Sequence, residues 1–125
     1  MIPKYRMWNE IISRLHSVDG LYFDREVAQY KDEVGVSRLI KFQNASLMQS
    51  TGLHDKNGKE IFEGDIAKMA KDVYSDPTYY EIVRHRGGAY RLESNQHGCE
   101  LWLRHTNCEV IGNIYENPEL LEVTE

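Results

Sequence analysis

Near the start of the chain, Trp8, Ile11, Ile12 and Leu15 fall at i, i+3, i+4 and i+7. That spacing gathers four apolar side chains on one helical face and predicts a short helix. Beyond it the pattern changes. The runs Leu21 to Phe23 and Val27 to Tyr30 are brief, rich in β-formers and divided by charged residues, as strands joined by a turn would be. Val36 to Phe42 predicts a further strand. Between Thr51 and Asp65 the chain passes Gly52, Gly58 and Gly64, and Asn57 before Gly58 predicts a tight hairpin with positive φ at both turn positions.

The second half reads as short strands between turns: Asp65 to Ala70, Tyr79 to His85, Ala89 to Glu93, Leu101 to Leu103 and Glu109 to Ile114. Five such strands in an open sheet would leave both edges unpaired, so the expectation is that they curl into a small barrel. The reading is of one domain, 1–125, α+β and mostly β. An N-terminal α/β portion over 1–60 precedes a five-stranded barrel portion over 61–125. Asn117 and Pro118 should end the last strand, leaving Glu119 to Glu125 as an acidic tail or a terminal turn.

Composition adds boundaries to this picture. The chain has 125 residues, enough to bury one core of ordinary size. Fifteen basic and twenty acidic side chains give a net charge of −5, which disfavours a protein that coats nucleic acid through its bulk field. The excess is confined to the second half: residues 1–64 carry nine basic and nine acidic groups, and residues 65–125 six and eleven. No apolar run is long enough to span a membrane and no signal-peptide core follows the first residues, so a cytoplasmic protein without a membrane partner is expected. Cys99 and Cys108 read as buried free thiols, because a bridge is not expected to persist in a reducing cytosol.

Three constellations could carry chemistry. His97, Cys99, His105 and Cys108 have the composition of a tetrahedral zinc site, but only one residue separates the first pair, which is not the spacing of a known knuckle, and no metal or other cofactor is expected. Arg84, Arg86, Tyr90, Arg91, Trp102 and Arg104 form the candidate binding face, together with Tyr79, Tyr80, His85 and His105. Its aromatics would stack on bases and its guanidinium groups would meet phosphates. The plainer reading is that the aromatics fill the core and the arginines solvate its outside. Glu60, Glu63, Asp65 and Lys68 suggest a metal-dependent hydrolase only by nearness in sequence; no catalytic residue is assigned.

Three stretches carry a resemblance. They are Leu47-Met48-Gln49-Ser50-Thr51-Gly52-Leu53, then Asp55-Lys56-Asn57-Gly58-Lys59-Glu60-Ile61-Phe62-Glu63-Gly64-Asp65-Ile66, and late in the chain Cys108-Glu109-Val110-Ile111-Gly112-Asn113-Ile114-Tyr115-Glu116-Asn117-Pro118-Glu119-Leu120-Leu121. The chain resembles the YopX family of bacteriophage and prophage proteins, whose basic and aromatic opening is similar to Lys4-Tyr5-Arg6-Met7-Trp8. The resemblance implies an N-terminal portion leading into a Src-homology-3-like barrel, self-association and no active site. Ser50 stands where relatives usually carry an aromatic, and the stretches 71–78 and 94–98 are particular to this chain. The function expected is that of a non-enzymatic phage or prophage accessory protein that forms homo-oligomers and binds a phage or host protein. Nucleic-acid binding is the alternative.

Overall fold

The computed structural model describes residues 4–122, so the end of the expected acidic tail, 123–125, lies outside the described residues. The chain divides into two compact units, one ending at Ser50 and the other beginning at Thr51.

The first unit holds β1 (Tyr5–Asn9), β2 (Arg14–Tyr22), β3 (Val27–Lys31), β4 (Ser37–Lys41) and the first half of β5 (Ala45–His54). All pair antiparallel, in the order β4-β3-β2-β1-β5. The helix expected over Trp8 to Leu15 does not form. Trp8 and Leu15 are cross-strand partners in the β1–β2 hairpin, so their spacing of seven reflects pairing across a turn. Asn9 fixes that turn: its buried side chain accepts the amides of Ile11 (3.0 Å) and Ile12 (3.4 Å), and Ser13 adopts φ +55°. Ile11 and Ile12 are left exposed at the tip. Met7, Ala28, Tyr30 and Ile40 form the core of this unit.

In the second unit, the latter half of β5 neighbours β6 (Glu60–Phe62). A five-stranded antiparallel sheet follows: β7 (Asp65–Met69), β8 (Thr78–Arg84), β9 (Tyr90–Glu93), β10 (Gly98–Glu100) and β11 (Glu109–Asn113), in the order β10-β9-β8-β7-β11. This corrects the expected barrel, because β10 and β11 end the sheet and do not pair with each other. The expected strand over Leu101 to Leu103 is instead one helical turn, α1 (Leu101–Arg104). A continuous apolar run fits either geometry. Here it puts Leu101 into the core beside Tyr80, Ile82, Leu92 and Val110, so one sheet face is filled without closure. Proline ends pairing as expected: a 3₁₀ turn, Pro118–Leu121, follows β11 and packs against β8. Among the described residues no helix is long and apolar enough to cross a membrane.

Candidate functional site

The residues of the motif blocks are accounted for by the bonds they make. Asp55 is buried at the end of the β5–β6 hairpin, where one carboxylate oxygen accepts the amides of Asn57 and Lys59, each at 2.9 Å. Its other oxygen reaches across the sequence to the Val110 amide at 2.8 Å, tying the turn to β11. Burial alone would raise its pKa, but these three donors outweigh it and hold the carboxyl below the ordinary value. In this turn only Gly58 takes positive φ, +82°, and Asn57 does not, so the turn differs from the one expected from Asn-Gly.

Asp65 plays a similar part and accepts the Phe62 amide at 2.8 Å, so this carboxylate holds a turn. Asn113 closes the end of β11 by accepting the Tyr115 and Glu116 amides, each at 2.9 Å. Gly112 is required by close approach. A Cβ there would lie 2.7 Å from Cγ of Asn117, whose Oδ1 accepts the Asn113 amide. Gly112→Ala should therefore displace Asn117 and lower stability by about 1–2 kcal/mol, visible as a lower urea midpoint at unchanged slope.

The anticipated basic and aromatic face is dispersed. Arg84 ends β8, whereas Arg86 lies in the following turn, so the strand parity expected to align them does not apply. Tyr80 and Tyr90 belong to the core side of the sheet. Arg91 points to the opposite side, between Glu93 (3.0 Å) and Glu100 (2.6 Å). Arg104 donates to the carbonyl oxygens of Ala70 and Lys71. Trp102 is well exposed on α1.

The four metal-ligand candidates are spread as well. Cys108 is buried in the core, where burial first, and then the Asp55 carboxylate, pushes its thiol up to about 11, and it donates to the His105 carbonyl. Cys99 packs at the core margin, and burial raises its pKa too. His105 Nδ1 lies 2.7 Å from the His54 carbonyl, and His97 sits in the β9–β10 loop. Both cysteines are free thiols, and among the described residues no three His, Cys, Asp or Glu are grouped as metal ligands.

What the first unit does offer is an open sheet edge. β4 ends the strand order, and Leu39 is half exposed at its centre. Antiparallel ladder bonds alternate along a strand. The Phe42 amide donates to the Glu26 carbonyl (2.8 Å) and the Asp32 amide to the Val36 carbonyl (2.9 Å). By that alternation Arg38 and Ile40 bond to β3, and the backbone groups of Ser37, Leu39 and Lys41 point away from it. Sequence reading noted the strand but not that it would lie at an edge.

Comparison with known proteins bears on this arrangement. The family described as YopX protein matches residues 4–122. The chain belongs to the YopX family. It is 26% identical over 128 residues to the SPbeta prophage-derived uncharacterized protein YopX of Bacillus subtilis (strain 168), covering 80% of this chain and 92% of that one. Among solved structures, protein EF1440 from Enterococcus faecalis is 33% identical with a TM-score of 0.65, over 98% of this chain and 99% of the other. The crystal structure of protein yopX from Bacillus subtilis shares the fold at a TM-score of 0.62 and 23% identity, over 98% of each chain. Within the stretches that carried the resemblance, Asp55, Asp65 and Asn113 hold turns and strand ends of this chain.

Proposed function

We propose that this chain is a prophage accessory protein that acts by binding rather than by catalysis, and that it self-associates through the β4 edge. The observation that carries the reading is the self-complementarity of that edge. If two β4 strands pair antiparallel about Leu39, Leu39 faces its own copy, Ser37 faces Lys41, and Arg38 faces Ile40. No like charges stand opposite one another, and the outward backbone groups of Ser37, Leu39 and Lys41 find partners. Arg38 is held back by Asp32 at 2.6 Å, which limits its charge at the seam.

The prophage setting is taken from the Bacillus subtilis relative. A paired edge would leave the other surfaces of each copy available to a phage or host protein. Nucleic-acid binding has less support, because Arg91 and Arg104 are already engaged within the chain. Light scattering over a range of concentrations tests the reading. A mass rising toward twice that of one chain is expected, and a strict monomer at high concentration would overturn it.

A further inference from the structure

The outward face of the second unit's sheet holds a cleft of about 380 Å³. Tyr79 and Glu81 of β8, Glu93 of β9, His97 of the β9–β10 loop and Leu120 and Leu121 of the terminal 3₁₀ turn line it. Its volume lies toward the small end of ligand clefts, roughly 300–1,000 Å³. The loop over Ser94 to His97 forms one wall.

The register of β8 and β9 sets Glu81 directly opposite Glu93. Directly opposed like charges destabilise a strand pair unless something neutralises them. Glu93 is answered by Arg91 at 3.0 Å, with His85 at 3.9 Å. Glu81 is not: among the described residues its carboxylate has neither a hydrogen bond nor an ion pair. It is also half-buried, and burial pushes its pKa up. A carboxylate left in such a place gains from a cation that brings its own apolar stem.

We propose that this cleft binds an organic monocation on an aliphatic stem, such as a lysine or arginine side chain of a protein partner. The charged head would meet Glu81 beside Glu93, and the stem would lie along Leu120 and Leu121. Phosphate-bearing ligands are repelled by the same pair. This site is separate from the β4 edge and does not depend on the self-association reading.

Two-dimensional amide NMR on the whole chain tests it. The probes are acetyl-Gly-Lys-Gly-amide and n-butylammonium, with acetyl-Gly-norleucine-Gly-amide as the uncharged control. Saturable shifts confined to Tyr79, Ser94, His97 and Leu121 are expected with both cations and absent with the control. Glu81→Gln keeps the side-chain volume and should preserve the fold, seen as unchanged signals elsewhere, while weakening both cations by at least about tenfold. A tighter peptide identifies a protein partner and equal binding a free amine; either supports the cation site. No saturable shift, an equal response to norleucine, or undiminished binding by Glu81→Gln would overturn it.

Discussion

Replacing Asp55 by alanine should lower the stability of the fold by about 3 kcal/mol, with a fall in Tm on the order of 10 °C. The change leaves the amides of Asn57, Lys59 and Val110 without their acceptor, and the last of these is buried. An orphaned buried donor costs its desolvation penalty, roughly 1–3 kcal/mol, where a turn amide that can reach water costs less. Asp55→Asn should lose less, because one oxygen remains. The pH dependence follows from the sign of the shift. A carboxyl whose pKa is lower folded than unfolded stabilises above its unfolded value, and that contribution is lost as the pH falls through its folded value. The stability gap between wild type and Asp55→Asn should therefore be full at pH 7 and shrink under acid. A gap independent of pH would mean that the charge does not hold the turn.

Asp32 makes the same kind of turn on the surface, accepting the amides of Val34 and Val36 and lying beside Arg38. Its loss should matter far less, since water replaces the donors' partner. The contrast separates a turn that ties distant segments from one that only reverses the chain.

Much of this was legible in the sequence, and the gaps have physical causes. The strands over Val27, Val36, Asp65, Tyr79, Ala89 and Glu109 were readable because short β-forming runs stood between turn residues. The hairpin at Trp8 was misread because cross-strand pairing over four intervening turn residues reproduces a helical spacing. β5 escaped notice because its faces are both partly buried and give no clean alternation, and β10 has only three residues. Gly58 announced a turn. That the preceding Asp55 would also hold Val110, 55 residues away, is a property of tertiary placement. The barrel failed for a related reason: nothing in the run Leu101 to Leu103 says that it would form a helical turn filling one sheet face, and not the expected strand. The same limit hid the cleft, since Glu81 and Glu93 meet only through the β8–β9 register.

Leu39→Lys should abolish self-association while leaving the folded monomer nearly as stable as before. Leu39 is 50% exposed in one copy, so the monomer loses little packing. In the proposed pair two leucines are lost at the seam and two ammonium groups would face each other. Together these weaken association by about 3 kcal/mol or more, over a hundredfold. Sedimentation equilibrium reads the change directly, and Leu39→Val, which keeps an apolar pair, should retain most of the association. If the lysine variant associates as well as the parent, the seam lies elsewhere.

Amide hydrogen exchange, followed as the protein is concentrated, examines the β4 edge most directly. The Leu39 and Lys41 amides should exchange quickly when dilute and slow markedly with concentration, while Arg38 and Ile40, bonded to β3, stay protected throughout. Leu39 and Lys41 amides that exchange at the same fast rate at every concentration would contradict the account.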